Sequence, residues 1–451
     1  MSANDKFARL AALKPARAEG VRPAELRPPQ ETDALARALG ASVATNRYGE
    51  HLAVRTWFSS PEFSEPLPSA LEILSRTRDE AASRRTRAAL ADPAQWLFLD
   101  TETTGLAGGT GTYAFLVGIG WWDAGGLQVE QLVLRDFTEE YSLLQELAAR
   151  IAERPVLVTF NGTSFDWPLL QSRYTMTRAI AAPRLAAHLD LLHPARALWK
   201  MRLGSVRLSE LERHVLDAPR LGWRRDHDVP SSLIPQFYFD YLRGGPVEPL
   251  AGVARHNQMD LRGLAALFGK INAMLADSPG EAPEAHSVDL FGLSRYLERR
   301  GEPARANAVC TQAMENGLPT AFHPLAQRDL ALRARRSADH DTAAALWEKL
   351  VSDPRGGLLA CEQLAIHHER RSRNIERAAE FARLGIRKAQ LLQSQQKSAW
   401  SSAEAASRAA RLEEKFSARL ARLELRIAKD RTIQSVPPPP ARKTREARRV
   451  R

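Results

Sequence analysis

The residues with most chemistry in them are Asp100 and Glu102, which end the apolar run Trp96-Leu97-Phe98-Leu99 just ahead of Thr103-Thr104-Gly105. In an extended chain residues i and i+2 project to the same side, so the two carboxylates share one face of a strand. Like charges so placed raise each other's pKa unless a cation lies between them. Oxygen ligands of this kind suit magnesium or manganese. The stretch alone fits a simpler reading equally well, with Asp100 capping a turn and Glu102 solvated.

Two further clusters give the pair company. In Thr159-Phe160-Asn161-Gly162-Thr163-Ser164-Phe165-Asp166-Trp167, Asp166 falls close to a helix start, where the helix dipole by itself favours a carboxylate. Phe165 and Leu169 are expected to anchor that start. Asp190, set among His188, Leu189, Leu191 and Leu192, reads as structural. Further on, Leu261, Leu264, Leu267, Phe268 and Ile271 recur at helical spacing, which puts His256 and Asp260 one turn apart on a common face. An imidazole and a carboxylate in that relation can act on a water held between them. A His–Asp pair standing alone would more often be a surface contact.

Positioning these groups requires a sheet. Residues 96–100, 113–122 and 127–134 read as strands, the last alternating through Leu127, Val129, Gln131 and Val133. The glycine-rich 105–111 between the first two is too irregular for either regular element and lets backbone approach a ligand closely. A helix over 138–153, a strand over 156–160 and a helix opening near 164 complete an α/β arrangement with a sheet of mixed direction. Residues 1–90, interrupted by Pro23, Pro28, Pro29, Pro61, Pro66 and Pro68, read as a partly disordered extension with one short strand-like piece at 48–54.

The bulk properties narrow the class. A chain of 451 residues exceeds one typical core, and 44% hydrophobic with 26% charged residues describes a soluble globular protein. The longest apolar window falls well short of the roughly 20 residues a membrane helix needs, so no membrane association is expected. The two cysteines, Cys310 and Cys361, lack metal-ligand spacing and read as buried thiols of a reducing cytoplasm. A net charge of +11, mostly arginine, favours polyanionic partners.

Taken in order, Asp100-x-Glu102, Asn161-x-x-x-Phe165-Asp166 and His256-x-x-x-Asp260 resemble the three exonuclease motifs of the DEDD superfamily, which has the ribonuclease-H-like fold. The run from Thr101 to Thr112, with His193-x-x-Arg196-x-Leu198-Trp199 and His256-Asn257-x-x-Asp260, is similar more narrowly to the bacterial YprB-like group, over roughly residues 95–275. The resemblance implies that Asp100, Glu102, Asp166 and Asp260 hold two Mg2+ or Mn2+ ions about 4 Å apart around a scissile phosphate. It also implies that His256 orients or deprotonates the attacking water. Thr103, Thr104, Gly105 and Leu106 would line the terminal nucleotide, and Asn161 would contact substrate or its surroundings. In one subclass the base stands five residues before the last Asp, the position of Arg255, and in the other a tyrosine stands four before, the position of His256. His256 therefore brings one subclass's chemistry to the other's position.

The implied domain plan is an extension over 1–90, a ribonuclease-H-like 3′→5′ exonuclease domain over 91–275 and a linker over 276–288. Beyond it lie tetratricopeptide-like helical repeats over 289–395 and a long helix with a basic disordered tail over 396–451. The repeats are read from recurrences beginning at Gly301, Asp339 and Arg373, near the roughly 34-residue period of such helix pairs. Leu412, Phe416, Leu420, Leu423 and Ile427 form one stripe on the long helix, suited to packing on the array or on a partner. The expected function is metal-dependent hydrolysis of single-stranded DNA or RNA, with a protein partner recruited through the repeats. The alternative is a non-catalytic nucleic-acid-binding adaptor.

Overall fold

A computed structural model describes residues 29–105, 111–276, 285–354, 356–396 and 403–434. The chain divides into two compact units, residues 1–196 with 203–277 and residues 197–202 with 278–451.

The described part of the first unit opens with helix α1 (Pro29–Leu39), the hairpin β1 (Ser42–Asn46) and β2 (Gly49–Phe58), and helices α2 (Pro68–Ser75) and α3 (Glu80–Leu90). Strands β3 (Trp96–Thr103), β4 (Ala114–Asp123) and β5 (Gly126–Val133) follow, then α4 (Glu140–Glu153), β6 (Val156–Thr159), α5 (Asp166–Thr177) and β7 (Ala187–Asp190). Helices α6 (Leu192–Leu203), α7 (Leu208–Leu211), α8 (Ile234–Leu242) and α9 (Glu248–Leu275) complete the run. One seven-stranded sheet has the order β1-β2-β5-β4-β3-β6-β7, antiparallel from β1 through β3 and parallel from β3 to β7. This is a ribonuclease-H-like mixed sheet flanked by helices.

Two expectations change here. The sheet does not begin near residue 96, because β1 and β2 form its outer antiparallel ribbon and bury Leu52, Ala53 and Val54. Of the prolines that suggested an irregular extension, Pro23 and Pro28 lie outside the described residues, Pro29 and Pro68 open α1 and α2, and Pro61 and Pro66 fall between β2 and α2. Strand β3 also runs past both acids to Thr103, with a bulge between Glu102 and Thr103. The β4–β5 connection is a two-residue turn through Ala124 and Gly125, both at positive φ (49° and 82°), the twist that suits a tight hairpin.

The faces of β3 explain why a core and a polar site adjoin. Leu97 and Leu99 join the apolar cluster containing Leu147 and Ile151 of α4 and Leu170 of α5. The alternate residues Trp96 and Phe98 meet Phe268 of α9 edge-on, at ring-centroid distances of 4.9 and 6.0 Å. Asp100 and Glu102 continue that second face, so α9 packs first against aromatic rings and then against carboxylates.

In the second unit, three helix pairs follow one another: α10 (Ser287–Arg299) with α11 (Pro303–Glu315), α12 (His323–Arg336) with α13 (His340–Leu350), and α14 (Gly357–Arg370) with α15 (Ile375–Gln396). Within each pair the chain turns through one left-handed residue, Gly301, Ala338 or Arg373. The long helix α16 (Ala403–Gln434) buries Phe416 and Leu423 of the expected stripe against α15 and its neighbours. Among the described residues no helix is long and apolar enough to cross a membrane.

Gly385 sits inside α15 where a Cβ would lie 2.5 Å from the Phe416 ring. Helix propensity alone would make Gly385→Ala stabilising by about 1 kcal/mol, whereas a contact this short should cost about 1–3 kcal/mol through overpacking. The expected outcome is net destabilisation, read as a lower denaturant midpoint; an increase would mean that α16 does not pack on α15 this closely.

Candidate active site

Three elements converge on one pocket. Strand β3 contributes Asp100 and Glu102, the first turn of α5 contributes Asp166, and α9 contributes His256 and Asp260. Ligand atoms of Glu102, His256 and Asp260 all lie within 4.8 Å of one another. His256 Nε2 stands 3.4 Å from Asp260 Oδ2 and 4.0 Å from Glu102 Oε1.

Each acid has its own support. Asp100 lies across from Gly118 of β4 in the strand register. Gly118 is required there, because a Cβ at that position would fall 2.0 Å from Asn257 Oδ1. Through that opening Asn257 Nδ2 donates to Asp100 Oδ2 at 2.8 Å, while its Oδ1 accepts from Gln131 Nε2 of β5 at 2.8 Å. Asn257 itself is fully buried. Asp166 Oδ1 accepts from Thr101 Oγ1 at 2.5 Å, so α5 is tied to β3 between the two strand acids. Asp190 accepts from the backbone N–H groups of Asn161 (2.7 Å), Thr163 (3.2 Å) and Leu192 (3.0 Å), which clamps the loop leading into α5. Burial pushes the Asp190 carboxyl up, but these bonds and that of the Thr163 hydroxyl outweigh it and hold the group below its ordinary range.

Three of the candidate acids, Asp100, Glu102 and Asp166, behave in the opposite way. Burial, and after it the charges of Asp260, Glu102 and Asp166, pushes Asp100 well above the ordinary carboxylate range despite the Asn257 bond. Burial followed by Asp260, Asp166 and Asp228 does the same to Glu102, and burial raises Asp166 against the Thr101 bond. Among the described residues neither Asp100 nor Asp166 has a basic ion-pair partner. Arg225 instead pairs with Asp260 through Nη2, with Glu212 through Nε and Nη2 (2.5 and 2.7 Å) and with Asp228 through Nη1 (2.9 Å).

Residues 97–272, spanning all five of these side chains, match the RNase H superfamily. Over 289 residues the chain is 31% identical to YprB of Bacillus subtilis (strain 168), an uncharacterised protein, covering 63% of this chain and 67% of that one. The chain belongs to the RNase H superfamily. Membership implies action on nucleic acid, hydrolysis as its general class, and divalent metal ions as the usual means. The pocket of this RNase H-like unit fits such ions on its own chemistry: it collects carboxylate oxygens and one imidazole nitrogen, keeps them largely out of solvent, and leaves two of the acids without a protein cation among the described residues.

The substrate-lining candidates fare unevenly. Thr103 Oγ1 donates to Gly105 O at 2.8 Å, and buried Thr104 is occupied with Tyr113, accepting from its N–H at 2.9 Å. Gly105 is half-buried beside them, and Leu106 lies outside the described residues. Asn161 takes a left-handed conformation (φ 70°) above the Asp190 clamp. Phe165 does not anchor α5 as expected: Leu169 is buried, but Phe165 is 57% exposed.

Sequence reasoning passed over Arg225 and Asp228, in the irregular segment between α7 and α8, and Glu212, just after α7. Asn257 carried a readable signal, being a polar residue on the apolar stripe of Leu261, Leu264 and Phe268. The run Arg224-Arg225-Asp226-His227-Asp228 is dense in charge but has no periodicity to say which of its members turns inward.

A pH dependence follows from the raised acids. Above the ordinary carboxylate value the unfolded chain has released protons that folded Asp100 still holds, so stability falls as pH rises toward the folded pKa. In EDTA, Asp100→Asn should melt above the parent protein, with the gap widening from about pH 4 to about pH 8. Saturating Mg2+ or Mn2+ should reverse the order at the higher pH, since a cation at 100 times its Kd adds about 2.7 kcal/mol to the protein that binds it. Thermal melts of both proteins with and without metal check this; a gap that does not change with pH would contradict the charge coupling.

Proposed function

We propose that this RNase H-like protein is a metal-dependent nuclease, a 3′→5′ exonuclease that hydrolyses phosphodiester bonds of single-stranded DNA or RNA. The observation that carries the reading is the convergence of Asp100, Glu102, Asp166 and Asp260 with His256 in one pocket. The exonuclease class and polarity rest on the ordered resemblance of the motifs to DEDD enzymes.

In this reading the four carboxylates would hold two Mg2+ or Mn2+ ions. When bound, these supply Lewis-acid activation and neutralise charge on the phosphate. The protein's own part is positional and acid–base. Asn257 and Thr101 keep Asp100 and Asp166 aimed while the site is loaded and emptied. Asp260 divides its oxygens, Oδ1 toward Arg225 and Oδ2 toward His256 Nε2. His256 Nε2 would accept a proton from the attacking water, a role that requires an unprotonated Nε2 whose lone pair meets that water on the side of Glu102 and Asp260. Phe165, exposed beside Asp166, offers a ring on which a base near the reacting end can stack. The three helix pairs of the second unit are read as a tetratricopeptide-like array for a protein partner.

End-labelled single strands of DNA and RNA, incubated with Mg2+ or Mn2+, test the proposal. The parent protein should release nucleotides in a metal-dependent ladder, and Asp100→Ala or Asp260→Ala should lower the rate by about 10³-fold or more. Equal activity in parent and variant would assign the hydrolysis to a contaminant. Strand binding that survives EDTA with no product would leave an adaptor instead, and cleavage of a circular strand would make it an endonuclease.

A second outcome concerns Phe165. Loss of one stacked base costs about 1–3 kcal/mol, so Phe165→Ala should raise KM for a single strand by roughly 5- to 150-fold while kcat stays near the parent value. Steady-state kinetics on short oligonucleotides measure both, and an unchanged KM would remove the ring from the substrate path.

A further inference from the structure

The irregular segment between α7 and α8 belongs to none of the three motifs, yet it supplies the carboxylate closest to His256. Asp228 Oδ1 and Oδ2 stand 2.7 and 2.9 Å from His256 Nδ1. An ionised carboxylate can only accept, so the proton of that bond belongs to Nδ1. Asp228 is itself fixed from two sides, by the Val229 N–H on Oδ1 (2.8 Å) and by Arg225 Nη1 on Oδ2 (2.9 Å). Arg225 is in turn held in a fork by Glu212, whose side chain is 3% exposed. Glu212 can stand there because α9 carries Gly263 at that point; a Cβ would lie 2.2 Å from Glu212 Oε1.

We propose that Asp228 is a positioning residue that fixes His256 as the Nδ1–H tautomer, so that Nε2 turns its lone pair toward Glu102 and Asp260. The opposite tautomer has a ready donor. Arg225 Nη1 lies 3.5 Å from His256 Nδ1 and has no acceptor capacity. With Asp228 gone, that guanidinium becomes the polar neighbour of Nδ1, draws the ring's lone pair to itself and leaves the proton on Nε2. The ring is then in the right place with the wrong nitrogen forward. Outer partners that orient a histidine in this way typically account for about 10–100-fold in activity or metal affinity. The consequence for turnover rests on the nuclease reading; the tautomer assignment does not.

Long-range 1H–15N correlation spectra of the full chain labelled at histidine nitrogens, recorded with excess Mg2+ at about pH 8 where an ordinary imidazole is neutral, read the tautomer directly. His256→Gln identifies the relevant signals. The expected result is a protonated Nδ1 and an unprotonated Nε2 in the parent, the reverse in Asp228→Ala, and the parent pattern restored in Asp228→Glu. A parent ring protonated at Nε2, alone or together with Nδ1, overturns the proposal, as does an Asp228→Ala spectrum identical to the parent's. The parent spectrum decides the assignment even if Asp228→Ala does not fold. Kinetics are a separate arm: kcat should fall about 10–100-fold in Asp228→Ala with KM little changed, and recover in part in Asp228→Glu. A parent protein inactive on every strand would sink the nuclease reading while leaving the spectra to judge Asp228.

Discussion

Carboxylates of one sign gathered in a largely buried pocket repel one another, and the architecture around them is arranged to hold that repulsion in place. Two devices do most of the work. One is the removal of side chains where elements must come close: Gly118 admits Asn257 to Asp100, and Gly263 admits Glu212 to the base of the arginine hub. The other is the use of neutral donors, Asn257 and Thr101, on the acids that lack a protein cation. Neutral donors orient a carboxylate without quenching it, which leaves its charge available to a cation from solution.

The pocket is electrically divided. On the β3 and α5 side, Asp100, Glu102 and Asp166 keep high proton affinity because burial dominates, joined at Asp100 and Glu102 by repulsion from neighbouring carboxylates, Asp260 foremost. On the other side Arg225 gathers Glu212, Asp228 and Asp260. Asp228 shows the difference clearly: burial alone would raise it, but bonds from Arg225 and His256 hold its carboxyl below the ordinary range. Asp260 and His256 lie where the two sides meet.

Much of this was legible in the sequence, and the reasons are local. The strand acids announce themselves because an apolar run with period-two geometry fixes which residues share a face. His256 and Asp260 are readable because α9 has a strong apolar stripe that sets its phase. Of the ribbon β1–β2 only the strand-like piece at 48–54, which overlaps β2, was readable; the rest was not, because prolines that open or separate elements look the same in a string of letters as prolines within a disordered segment. Phe165 was misjudged because helix-start patterns favour an apolar staple, and here Leu169 alone fills that role. Arg225 and Asp228 lie in irregular backbone, where no period connects sequence position to direction in space. Their roles depend on contacts 28 to 35 residues away along the chain, which only the fold supplies.

Helix α9 links the two halves of this account in one rigid body. Its later turns lodge Leu264, Phe268 and Ile271 in the apolar interior, while its earlier turns bear His256, Asn257 and Asp260. Hydrophobic burial tolerates sliding, because one aliphatic contact replaces another at little cost. Hydrogen bonds and ligand atoms do not, and a slip by a single residue's rise, about 1.5 Å, would break the Asn257–Asp100 bond. The carboxylate pocket therefore acts as a vernier on the register of this helix, and a mutation deep in its greasy half could silence the site without unfolding anything.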